Sequence, residues 1–126
     1  MTDEGRLGAK ERALDAALLS FTIDEQVKQL KQEKSWQSGD RNAVTLVKNP
    51  SVRVTLMALR RGASLREHHV EGPITVYVVE GSINFVVGKD KCTLKRSGFL
   101  SLERTIPHDV EALEDSVILL TIVQPK

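Results

Sequence analysis

The chain has 126 residues, 40% of them hydrophobic, with 18 Lys and Arg against 17 Asp and Glu and a formal net charge of +1. This length suits one domain with a core of its own, without disulfides or a structural metal. So near-neutral a balance gives no basic footprint for nucleic acid, and Cys92, the single cysteine, excludes an internal disulfide and a thiolate zinc cluster. The charged, Gly-bearing start does not read as a signal peptide, and no apolar run approaches the roughly 18–20 residues that span a bilayer. A soluble cytoplasmic protein with no nucleic-acid or membrane partner is expected.

Residues 1–12 lack apolar periodicity and predict a mobile arm. Residues 13–37 form an N-terminal segment with one helix, and 38–126 carry β pattern. The stretch 13–21 is apolar enough to dock on the body as a short strand or turn. Thr22-Ile-Asp-Glu25 has the form of a capping box, in which the threonine hydroxyl accepts from a first-turn amide and the glutamate reaches back. It opens a predicted helix over 24–34, with Ile23, Val27 and Leu30 on one side and Lys28, Lys31 and Glu33 on the other. So short a helix draws its stability from packing. Trp36, just beyond, is expected to pin it to the body.

After the turn at 38–42, strands are predicted over 43–47, 52–60, 74–80, 83–87, 91–94, 99–102, 108–112 and 117–123. Turn signals separate them, among them Asn49-Pro50, Gly72-Pro73, Gly81-Ser82 and Ser97-Gly98. Short strands so regularly punctuated, with no helix between them, argue an antiparallel sandwich or barrel. Alternation puts Val52, Val54, Leu56 and Ala58 on one face, with Arg53 and Thr55 on the other. Ile83, Phe85 and Val87 likewise share a face. The run 117–123 is apolar on both faces, as for a strand covered by a second layer or a partner subunit, and a homodimer is expected.

The stretch Gly62-Ala-Ser-Leu-Arg-Glu-His68-His69-Val70-Glu71-Gly72-Pro73-Ile74, continuing through Tyr77 to Glu80-Gly81, resembles the first signature of the cupins. That signature runs glycine, His-x-His, glutamate and glycine along two strands of a small β-barrel. Gly62, His68 and Gly81 are in register with it, whereas Val70 stands at the second histidine and Ile74 at the glutamate. Gly98 to Pro107-His108 resembles the second signature in outline, with Arg104-Thr105-Ile106 in place of its Pro-x-Gly turn. The resemblance covers residues 43–123 and implies an all-β, cupin-type jelly-roll barrel with a short N-terminal α-helix.

The resemblance further implies a divalent ion (Fe, Mn, Ni or Zn) held by three imidazoles and a carboxylate. Carried over position by position, only His68 and His108 survive as ligands, too few to outcompete hydration alone. Substitute ligands are sought in His69, Glu67, Glu71 and Glu103, with a bulge near Gly72-Pro73 as one way to turn His69 or Glu71 inward. Alternation directs Val70, Ile74 and Val76 into the barrel, and with Phe85 and Val110 they are the expected pocket lining. The leading expectation is a small-molecule binding or sensing module with a degenerate, metal-poor site. The alternatives are a metal-dependent enzyme, dioxygenase- or isomerase-like, and a structural or partner-binding protein. Cys92 is expected to be a half-buried thiol, the Arg60-Arg61 pair to be solvated, and Tyr77 to face outward for packing.

Overall fold

The structure, a computed structural model, describes residues 13–68 and 71–124, with Glu67 and His68 described in their backbone alone. The expected arm at 1–12 lies outside the described residues. Residues 13–22 run without regular structure along the body and are tied to it where the Lys48 N–H donates to Leu14 O at 2.9 Å.

Helix α1 spans Ile23–Gln32, and a single turn, α2 (Lys34–Gln37), follows after a break at Glu33. The expected capping box does not form. Thr22 is the N-cap with extended backbone, but its side chain makes no capping bond. Its main-chain carbonyl instead accepts from Glu25 N and Gln26 N at 3.1 and 3.2 Å. The role foreseen for Trp36 is met: it is buried on α2 and packs with Val27, Leu30, Val44 and Leu56.

Nine strands follow among the described residues: β1 (Arg41–Lys48), β2 (Val52–Leu59), β3 (Ser64–His68), β4 (Ile74–Glu80), β5 (Ser82–Val87), β6 (Asp90–Lys95), β7 (Phe99–Leu102), β8 (His108–Ala112) and β9 (Ser116–Val123). They form two antiparallel sheets, a five-stranded one in the order β1-β2-β9-β4-β7 and a four-stranded one in the order β3-β8-β5-β6. The arrangement is a jelly-roll barrel with an N-terminal helix. Eight strands fall where alternation places them. β3 does not, because Leu65 is the only apolar residue in it and a period of two leaves no trace.

Two cores lie on either side of the five-stranded sheet. The one inside the barrel joins Leu59, Ile74, Val76, Val78, Ile83, Phe85, Val110 and Ile118. The other packs α1 and α2 on the outer face, around Leu30, Val44, Leu46, Leu56, Ala58 and Val117. Strand β2 therefore differs from a simple inside-apolar reading. Its Leu56 and Ala58 face the helices, whereas Leu59, with Met57 packed against it, faces the barrel. Among the described residues no helix is long and apolar enough to cross a membrane.

Polar side chains fasten the helical layer. Asn42 Nδ2 donates to Leu30 O at 2.9 Å and to Glu33 Oε1 at 2.8 Å, and all of this is buried. Arg60 is not solvated as expected. Its guanidinium carbon lies 3.8 Å from the Trp36 ring centroid, Nη2 donates to Trp36 O at 2.8 Å, and Nη1 pairs with Asp115 at 3.3 Å. The reason is local: Trp36 and Asp115 converge on the end of β2 and supply both a π face and a carboxylate. Asn42→Leu is expected to cost about 1–3 kcal/mol, because it strips a donor from the buried Glu33 carboxylate and from a helix carbonyl. The measurement is the urea midpoint at unchanged m; a loss below about 0.5 kcal/mol would show that the amide is not a fastening.

Candidate functional site at the open end of the barrel

Strand β3 ends where β8 begins, and their ladder sets His68 and His108 as direct Cα partners. A register shift between Leu65 and His68, a bulge within β3, makes this possible. Gly72 has a duty of its own: a Cβ there would run into the carbonyl oxygen of Val123, so the chain can cross the end of β9 only as glycine.

His108, Val110 and Ala112 alternate inward along β8 and are buried. The His108 ring, 4% exposed, stacks on Phe85 with centroids 5.1 Å apart and an interplanar angle of 16°. Its Nδ1 lies 3.0 Å from Ile106 O, which fixes the ring's orientation. A cleft of about 370 Å³ opens beside it, walled by Val87, Gly88, Ile106, Pro107 and Asp109. The approach to His108 bends at Thr105, which takes the left-handed conformation at φ 60° in the turn where the second signature has its glycine.

The residues expected to line a pocket are placed as follows. Ile74, Val76, Phe85 and Val110 all belong to the core between the sheets and are at most 3% exposed. Val70 and His69, and the side chains of Glu67 and His68, lie outside the described residues. Glu71 and Glu103 are exposed, at the ends of the loops leading to β4 and from β7. Among the described residues no group of three His, Cys, Asp or Glu side chains converges as a metal site. The described donors thus do not make up three imidazoles and a carboxylate, and Ile74 and Val70 offer no donor atom at all.

A further residue was not singled out by sequence reasoning. Arg53 lies directly opposite Ile122 of β9, which lies opposite Ile74 of β4. Ile74 and Ile122 belong to the barrel core, so Arg53 stands on the barrel side of the sheet. The only hint in the sequence was its parity against Val52 and Val54. On the outer face, Tyr77 is exposed as expected and borders a cleft of about 610 Å³ with Ile23, Asp24, Arg96 and Leu119. Cys92 is exposed on β6 rather than half-buried, because β6 is an edge strand with little packed over it.

No family model matches the sequence, and no curated protein matches it either. Solved structures do. A cupin 2 conserved barrel domain protein from Leptotrichia buccalis is 30% identical over 70% of this chain and 43% of its own, with a TM-score of 0.66. A conserved protein of unknown function from Streptococcus pyogenes is 20% identical over 89% of this chain and 91% of its own, with a TM-score of 0.68. Salicylate 1,2-dioxygenase from Pseudoaminobacter salicylatoxidans, solved with gentisate, is 14% identical over 81% of this chain and 32% of its own, with a TM-score of 0.71.

Thr105→Gly removes the left-handed strain without touching His108. It is expected to leave stability unchanged or to raise it by up to about 1 kcal/mol. Equilibrium unfolding in urea checks this, and a loss above about 1 kcal/mol would mean that the threonine side chain itself holds the loop.

Proposed function

We propose that this chain, a cupin-superfamily barrel by its fold, binds a small, largely apolar molecule at the open end of that barrel, as a binding or sensing module. One observation carries the reading: the buried imidazole of His108 is held against Phe85 beside a cleft of about 370 Å³, at the end of a core that is mainly aliphatic. Sites of this composition draw affinity from apolar contact and orientation from a few fixed polar groups. His108 is suited to the second task because its stack and its bond to Ile106 O leave the ring little freedom. The aliphatic side chains at positions 70 and 74 support the reading, since neither brings the charge or donors that activate water or dioxygen.

The second reading is a metal-dependent enzyme using His68 and His108. It is favoured by their direct partnership in the β3–β8 ladder and by the anchoring of His108 through Nδ1, the way a ligating imidazole is commonly held. A dioxygenase among the structural neighbours adds to it. A homodimer completes the proposal. Tyr77 and Phe99, opposite one another on β4 and β7, are 38% and 60% exposed on the outer face of the five-stranded sheet. Asp24 and Arg96 flank the same cleft with opposite charges, as a self-complementary two-fold contact requires. A cytoplasmic location goes with an exposed, unpaired thiol at Cys92.

Metal content by mass spectrometry, after loading with Fe, Mn, Ni and Zn, is expected to stay well below one ion per chain. About one ion per chain, lost in both His68→Ala and His108→Ala, would instead establish the enzyme reading. In a thermal-shift screen of small aromatic and aliphatic compounds, at least one chemotype is expected to stabilise the parent and not His108→Ala. A screen with no hit and no metal would leave a structural protein. Sedimentation is expected to give a dimer, with Phe99→Glu sedimenting as a folded monomer.

A further inference from the structure

We propose that Arg53 makes the open end of the barrel selective for an organic carboxylate, so that the bound molecule is an acid with an apolar body. This rests on the reading of the open end as a small-molecule site.

Arg53 sits in a row that crosses the five-stranded sheet. Lys48 of β1 is its Cα partner on one side and Ile122 of β9 on the other; Ile122 is followed by Ile74 of β4 and Leu102 of β7. Cα partners in an antiparallel ladder share a face. Ile122, Ile74 and Leu102 all pack in the barrel core, which fixes the face of Arg53 and Lys48. Ile74 is the first residue of β4. The row therefore lies at the end of the barrel that also receives His68, the last residue of β3, and His108, the first of β8.

Two features of this row are unfavourable in the protein taken alone. The Arg53 Nε is buried without a hydrogen-bond partner among the described residues. A buried guanidinium nitrogen loses its hydration and regains nothing, which is the situation folded proteins avoid. The neighbour directly across the strand is a second cation, Lys48, and like charges opposite one another destabilise a ladder. Neither side chain has an ion-pair partner among the described residues. Arg60, by contrast, has a carboxylate, a carbonyl and an aromatic face around it.

An oxyanion resolves both features together. The planar fork of arginine matches a carboxylate or phosphate through parallel N–H bonds, and a negative charge between two cations turns repulsion into attraction. The remainder of the row decides between anions. Ile122 and Leu102, both half-buried, continue the row from Arg53 with the buried Ile74 between them, an aliphatic edge that an inorganic ion would not use and a hydrocarbon or ring would cover. The chemistry of the row thus describes a charged head at Arg53 and an apolar body laid toward β4 and β7.

The test is calorimetric titration of the full chain with benzoate and hexanoate, their neutral amides, and inorganic phosphate, repeated on Arg53→Met. The acids are expected to bind the parent about ten- to a hundredfold more tightly than the amides. Arg53→Met, checked for fold by circular dichroism, is expected to bind acid and amide alike. Since that variant can fail to fold, the parent is also followed by ¹⁵N NMR. The Arg53 Nε–H signal, assigned through Arg53→Lys, is expected to shift with hexanoate and not with hexanamide. Equal binding of acids and amides by the parent would overturn the role of Arg53 while leaving the small-molecule reading standing. Phosphate binding as well as the acids would overturn the carboxylate class. No binding of any probe, with an unmoved Nε–H signal, would overturn the carboxylate role of Arg53, whereas the small-molecule reading falls only if the thermal-shift screen also finds no hit.

Discussion

Strand β9 is the constraint on which the architecture depends. It is apolar on both faces and is paired along both edges, with β2 and with β4. Val117 and Leu119 turn to the helical layer, whereas Ile118, Leu120 and Ile122 turn into the barrel. A strand of this kind cannot tolerate water on either side, since each Val, Leu or Ile side chain it buries contributes about 1.5–3 kcal/mol. The short helix α1 is therefore no ornament on a finished barrel. It closes a face that would otherwise be greasy, and its own marginal stability is made good by the same contact. Because β9 is the shared floor of both cores, its register also decides what meets what across the sheet. Ile122 stands between Arg53 and Ile74, and that single rung carries a polar group of β2 to the end of β4.

Polar groups inside this framework divide into two kinds. Most are closed systems. The Asn42 amide joins Glu33 to the end of α1, and Ser116 Oγ accepts from Ser82 N at 3.0 Å while lying within reach of Ser82 O and Glu114 O. Arg60, Trp36 and Asp115 make a third such group. These sets answer the requirement that buried donors and acceptors find each other, and they fasten helix to sheet and hairpin to hairpin. Arg53 is of the other kind, with the demand of its Nε unmet among the described residues. His108 lies between them, anchored on one nitrogen and by its stack on Phe85.

Much of the fold was legible because alternation and turn chemistry are local. Three strands, 74–80, 99–102 and 108–112, have in the structure the bounds their patterns predict. β3 was illegible because one leucine among Ser, Arg, Glu and His makes no pattern. The face of β2 that looks into the barrel was illegible for a deeper reason. A strand apolar toward the helices and half polar toward the barrel reads as an ordinary amphipathic strand, and the topology alone reveals which side is which. The same ambiguity concealed Arg53, which resembles a solvent-facing residue until β9 and β4 are seen beside it. His108 was legible, since a Pro-His pair at the start of a patterned strand has a distinct signature. The capping box failed because Thr22 and Glu25 are exposed and the main chain closes that turn unaided.

The edge strand β6 has a practical consequence. Its Cys92 is the only thiol in the chain and is exposed, and it lies directly across the ladder from Phe85, whose ring stacks on His108. A fluorophore coupled to that sulfur would be unique in position without any engineering, with only strand β5 between it and the strand of the imidazole. Its emission would report on solvent and movement at the open end of the barrel in the native chain, with every other side chain left as it is.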